Sequence, residues 1–209
     1  GPTRRVAEFV AGLRFEALPD TVVAQACNVV LDTVGCALGA WRDDRQKADI
    51  ARTLALSFAA RPVASVWGGA GARSDPALAA LANGALANAA DFDDTHKRAL
   101  IHTGSVIVPP TLALAEEVAL DGASVIAAIV SGYEVAVRVG MAVMPTHYRF
   151  WHSTATNGTF GATASAARAL GLDADRTQAA LGFAGTQAAG LNAFFTSGDF
   201  TKSLHPGKA

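Results

Sequence analysis

Sulfur is scarce in this chain: its 209 residues hold two cysteines and two methionines. Two thiols fall short of the three that would hold an iron–sulfur cluster with one open iron position, so no cluster is expected in this chain. Cys27 and Cys36 stand nine positions apart in a stretch that reads as one helix. At about 100° per residue they face opposite ways, which excludes a bond between them within that helix. Charge is scarce too. Asp, Glu, Lys and Arg make up 17% of the residues and the net charge is −1, so no basic field concentrates phosphates. Neither a nucleic acid nor an anionic membrane surface is expected as a partner. No apolar run of about 18 residues escapes a charge, a Gly or a Pro, and the N-terminus lacks the basic-then-apolar layout of a signal peptide. These absences predict a cytoplasmic protein without a membrane span. The 51% apolar content suffices for a folded core and argues against disorder.

What is present reads as helix. Pro19-Asp20-Thr21 starts a helix whose apolar residues recur at helical spacing from Val22 to Leu38. Trp41 to Lys47 reads as a polar connection, and Ala48 to Ala59 as an amphipathic helix ended by Pro62. Val63 to Trp67 is a short extended piece. Ser74-Asp75-Pro76 offers a cap with Pro just inside the next helix, which runs to about Ala90. Pro109-Pro110 is expected to open a helix closed by Asp121-Gly122, and Ser124 to cap its successor, Val125 to about Met144. In that successor Glu134 must be exposed or paired with Arg138 one turn on. Gly158 to Leu170 and Asp175 to Ala189 complete the series. Connections are short and no repeat or linker marks a boundary. The expected fold class is all-α, a multi-helix domain over residues 1–209.

Between two Ala-rich runs lies Asp91-Phe-Asp-Asp-Thr-His-Lys-Arg-Ala-Leu-Ile-His102-Thr-Gly-Ser, which packs three carboxylates and two imidazoles together. A carboxylate beside a His holds one ring tautomer and raises the basicity of the other nitrogen, which suits the ring to proton transfer near neutral pH. The plainer reading is that such acids are helix caps and solvated turns, and Asp93 and Asp94 each fit it. His96, beside Lys97 and Arg98, reads as exposed. Asp93, His96 and His102 could also furnish metal ligands, but no i, i+4 pairing of His with carboxylate accompanies them.

These motifs resemble those of the MmgE/PrpD family, which includes 2-methylcitrate dehydratase, cis-aconitate decarboxylase and iminodisuccinate epimerase. The resemblance rests on Asp91-Phe-Asp-Asp-Thr-His and His102-Thr-Gly-Ser-Val-Ile-Val-Pro, with Ala82-Asn-Gly-Ala-Leu-Ala upstream. It extends to Leu31-Asp-Thr-Val-Gly, Gly132-Tyr-Glu-Val, His152 with Gly158-Thr-Phe-Gly-Ala, and Lys202-Ser-Leu-His-Pro-Gly-Lys. It implies a helical domain normally followed by an α+β lid that these 209 residues do not include, and a homodimer formed through the helical part. It further implies a lyase that works without metal or cofactor on a small di- or tricarboxylate. Epimerisation, or a non-catalytic binding or oligomerisation fragment, are the alternatives. The chain alone is expected to be inactive, because a site left uncovered admits water.

Carried over residue by residue, the resemblance makes His102 the proton donor or acceptor and Asp91 its electrostatic partner. Thr95 and Lys202 bind substrate carboxylates, and His152 is a second catalytic imidazole. From the residues alone His152 could equally be packed among aromatics, and Lys202 could be an ordinary surface Lys. His205 is read as shaping its turn, and the Gly158–Gly161 segment as a turn whose amides could approach an anion. Two positions depart from the family pattern: Asn88 stands where many relatives have His, and Thr103 where Pro is common.

Overall fold

A computed structural model describes residues 1–43, 45–69 and 71–209. Ten α-helices account for most of it: α1 (Pro2–Gly12), α2 (Asp20–Asp43), α3 (Arg45–Ser57), α4 (Pro76–Ala87) and α5 (Gly104–Val118) in the first half. They are followed by α6 (Gly122–Val143), α7 (Ser153–Ala169), α8 (Ala174–Gln187), α9 (Phe194–Ser197) and α10 (Thr201–Lys208). The expected extended piece is a two-residue strand, β1 (Ala64–Ser65), paired antiparallel with β2 (Arg73–Ser74). The all-α expectation holds.

Several boundaries differ from the sequence reading. Helix α2 runs on to Asp43 through half of the expected connection, because Ala37, Ala40 and Trp41 continue its packed stripe against Leu86 and Trp67. Asp44, in that connection, lies outside the described residues. Pro109 and Pro110 do not open α5 but lie inside it. The helix starts earlier because the Asp94 carboxylate accepts the Gly104 amide at 2.7 Å, capping it from the Asp-rich segment. Ser124 is not the cap of α6: Asp121 is, its carboxylate accepting the Ser124 amide at 2.8 Å. Glu134 and Arg138 do pair on that helix.

Gly158 and Gly161 are not an opening turn. They lie in the middle of α7 and are buried, where a missing side chain lets helices touch. A Cβ on Gly161 would sit 2.6 Å from Ala136 Cβ, 2.8 Å from the Gly132 carbonyl oxygen and 2.9 Å from Ile107 Cδ1. Helices α5, α6 and α7 meet there, and the segment offers no free amide to an anion. Length and hydropathy alone would let α2 and α6 span a membrane, but half of the apolar window of α6 is buried among neighbouring helices.

Asn83 of α4 is buried and ties the small sheet to the bundle, its Oδ1 accepting the Trp67 amide and its Nδ2 donating to the Ser65 carbonyl, each at 2.8 Å. The same helix receives α10. Gly207 lies against Gly84 and so close to α4 that a Cβ on Gly207 would overlap the Leu81 carbonyl oxygen. This crossing carries the chain's last helix back to the segment that leaves α4.

Candidate active site

That segment begins with Asp91, whose left-handed backbone (φ 54°) is one that Asp tolerates better than most residues. Leu100 is also left-handed (φ 49°), a conformation that costs a bulky residue about 1–2 kcal/mol. The start of α7 holds the far end in place: Ser153 Oγ donates to the Leu100 carbonyl and Thr154 Oγ1 accepts the His102 amide at 3.1 Å. His152, the residue before that helix, thereby comes near His102.

His102 sits between two carboxylates. Its Nε2 is 3.3 Å from Asp91 Oδ1 and its Nδ1 is 3.2 Å from Asp93 Oδ1. Thr95 Oγ1 is also 3.2 Å from Nδ1. Lys202, in the first turn of α10, forms an ion pair with Asp91 Oδ1. The five residues predicted from sequence are therefore brought together: Asp91, Thr95, His102 and Lys202 through direct contacts, and His152 within reach of their charges. The Asp91 side chain is 58% exposed and that of Asp93 fully buried, so the site opens to solvent on the Asp91 side.

The two imidazoles have opposite proton affinities. Burial disfavours the charged form of His102, but the hydrogen bond and charge of Asp93, with Asp91 adding, more than offset it and hold the ring above its ordinary value. Burial pushes His152 down to about 3, helped by His205, Lys202 and His102 and opposed only by Asp91. Asp91 is also buried in part, which alone would raise its pKa; Lys202 and the imidazoles nevertheless hold it below the usual carboxylate range.

Three partnerships were not read from sequence. The first is Asp93: Asp91 was expected as the partner of His102, and it shares that role with the buried Asp93, to which Asn88 Nδ2 donates at 2.9 and 3.2 Å. The second is His205, whose Nδ1 is 2.9 Å from His152 Nδ1, both rings lying edge-on to Phe194. It does more than shape a turn. Lys202 and His205 are three apart on α10 and so share one helix face, a signal the sequence carried. The third is Tyr133, whose hydroxyl donates to Asp94 Oδ2 at 3.1 Å. Burial, outweighing the Gly104 and Tyr133 hydrogen bonds and reinforced by Asp93 and Asp32, pushes Asp94 up to about 6. Asp94 thus caps as expected. His96 is half-buried and accepts the Ala99 amide, a turn role. Thr103 is buried ahead of α5, its hydroxyl without a partner among the described residues.

The donor atoms of Asp91, Asp93 and His102 lie within 4.8 Å of one another, close enough to share a cation. In this arrangement the Lys202 ammonium supplies the positive charge to Asp91.

Residues 4–209 match the sequence profile described as the MmgE/PrpD N-terminal domain. The chain belongs to the MmgE/PrpD family. Among curated proteins it is 31% identical over 204 residues to the cis-aconitate decarboxylase-like protein oryM of Aspergillus oryzae, a match covering 91% of this chain and 41% of that protein. It is 29% identical over 198 residues to the cis-aconitate decarboxylase of Aspergillus terreus, covering 91% and 40%. To the human cis-aconitate decarboxylase it is 29% identical over 216 residues, covering 99% and 43%. This MmgE/PrpD chain thus spans about two fifths of the length of the curated relatives it matches.

Proposed function

We propose that this chain is the helical part of a cofactor-independent lyase that acts on a small di- or tricarboxylate, with cis-aconitate as the leading substrate. The observation that carries the reading is the His102 imidazole held between two carboxylates beside a Lys ammonium, with a second imidazole of opposite proton affinity nearby. Environments that push two titratable groups apart mark an acid–base pair. The names of the relatives favour decarboxylation over dehydration or epimerisation.

In that reading Lys202 leaves its pairing with Asp91 to meet a substrate carboxylate, and Thr95 binds another. The C–C bond to the departing carboxylate breaks and CO2 leaves. Its electron pair becomes a new C=C bond, while the pair of the old C=C bond takes a proton from the His102 imidazolium. Water then returns the proton to the ring. His152, kept neutral, holds the substrate by hydrogen bonding, and Lys202 offsets the charge that develops. The same imidazole acting as a base would start a dehydration. The expected setting is a cytoplasmic homodimer. Cys27, Leu31 and Leu38, exposed on one face of α2, are suited to meeting a second copy.

The test is a panel of cis-aconitate, 2-methylcitrate and iminodisuccinate given to the full-length protein in D2O, followed by NMR. Cis-aconitate should be consumed with one deuterium placed on carbon in the product, whereas dehydration of 2-methylcitrate would place none, and His102→Gln should abolish turnover. A folded protein that consumes none of the three would overturn the reading.

A further inference from the structure

Resting on that proton-transfer reading, we propose that Asp93 and Asn88 act as a pair of positioning residues that fix the proton of the neutral His102 ring on Nδ1. Nε2 is then the nitrogen that exchanges a proton with the substrate. Nδ1 faces the Asp93 carboxylate at 3.2 Å and the Asp93 backbone carbonyl at 3.4 Å. Both groups can only accept, so Nδ1 carries a hydrogen; Nε2, which faces the Asp91 carboxylate at 3.3 Å, carries the second while the ring is charged and releases it first, because Asp91 is already paired with Lys202. Thr95 agrees: its hydroxyl donates to the Asp93 carbonyl and so presents a lone pair to Nδ1.

Nε2 has a different outlook. It faces Asp91, an exposed carboxylate already paired with Lys202, so a substrate can enter on that side. The Asp93 side has no such opening, because its carboxylate is fully buried.

A buried carboxylate is costly unless its oxygens are bonded. Asn88, itself 1% exposed, bonds both of them through one Nδ2. The choice of an amide matters: a Lys or Arg there would neutralise Asp93, whereas Asn satisfies the oxygens and leaves the negative charge to act on His102. Asn88 Oδ1 is buried without a partner among the described residues. Turning the amide over would set that oxygen against the carboxylate, so its orientation is fixed by Asp93. An orphaned acceptor of this kind is destabilising, which fits a residue placed for what its N–H holds rather than for stability.

The test uses the full-length protein with 15N-labelled histidine. NMR above the titration of His102 should show its ring protonated at Nδ1 and bare at Nε2. Asp91, Asp93 and Lys202 face this ring and His152 lies within reach of its charge, so its pKa is followed in Asp93→Asn, which removes one charge and keeps the size. That variant should lower the His102 pKa by about one unit or more. It should also lower kcat about 100-fold with little change in KM. Asn88→Leu should move both in the same direction by less, and the double variant should be no worse than Asp93→Asn, because Asn88 acts only through Asp93.

A wild-type His102 protonated at Nε2, an unmoved His102 pKa in Asp93→Asn, or additive losses in the double variant would each overturn the proposal. The wild-type spectrum needs no variant to fold. A ring protonated at Nδ1 in a protein that turns over no carboxylate would keep the positioning and sink the lyase reading. Turnover by a ring protonated at Nε2 would do the reverse.

Discussion

Replacing Gly161 and Gly182 by Ala sets tertiary packing against helix propensity in two helices of one molecule. Both glycines are interior to helices, α7 and α8, where Ala is favoured by about 0.8–1.0 kcal/mol. A methyl group on Gly182 meets nothing within 4 Å, so Gly182→Ala should stabilise by about that amount. On Gly161 the same methyl meets Ala136 Cβ, a backbone oxygen and the end of Ile107. Two of these three neighbours cannot turn away, so the overpacking cost belongs in the upper half of the usual 1–3 kcal/mol, roughly 2–3. Subtracting the propensity gain leaves a net loss of about 1–2 kcal/mol. For a chain of this size each kcal/mol moves Tm by about 2–4 °C. Gly161→Ala should therefore melt about 2–8 °C lower than the parent and Gly182→Ala about 2–4 °C higher, followed by far-UV circular dichroism. The entropic effect on the unfolded chain is common to both and cancels in the comparison. A Gly161→Ala protein as stable as Gly182→Ala would refute the claim that α6 and α7 meet through missing side chains.

Lys202→Met should raise KM for the carboxylate substrate about 10- to 100-fold, as expected for losing a charge-assisted hydrogen bond. Tm should barely move, because its ion pair with the exposed Asp91 adds little to stability; steady-state kinetics beside a melting curve decide between the two roles. Asn83→Leu should lower stability by about 1–3 kcal/mol in urea titrations, since it removes the partners of the half-buried Trp67 amide and Ser65 carbonyl. Acid should weaken the fold through His152: with a folded pKa of about 3 against an ordinary 6.5, the unfolded chain binds the extra proton, so stability falls as pH drops from about 6.5 towards 3. His102 has the opposite sign, its contribution being present below about 6.5 and lost as pH rises through its raised folded value. Because His152 is displaced further, urea midpoints should fall between pH 7 and 4.5, by about 2 kcal/mol from this group. His152→Gln should flatten that dependence, and an equally steep fall in the variant would disprove the assignment.

The helices were legible because their apolar residues recur at helical spacing, and the boundaries that failed did so where a tertiary contact overrode a local signal. Pro109 and Pro110 read as a start until Asp94, ten positions before Gly104 in sequence, supplies the cap. Gly158 and Gly161 read as a turn because a short window cannot show that three helices meet there. The motifs singled out the five candidate residues that the fold brings together. Asp93 was read as a cap rather than as the partner of His102 because its burial depends on how the chain leaves α4, and His205 was discounted because Pro206-Gly207 reads as a turn although those residues lie within α10. Asn88 was noted as a departure in type, and only the structure shows the carboxylate it holds.

Lys202 and His205 reach the site through the seating of α10 on α4, where Gly207 packs against Gly84 and the Leu81 carbonyl. Site geometry is thereby tied to one helix crossing remote from the reacting groups, and a ligand that engages Lys202 is expected to favour the seated form. Amide hydrogen exchange would register this as slower exchange along Ser203 to Lys208 when substrate is added, and as fast exchange there, with the rest of the bundle protected, when it is removed.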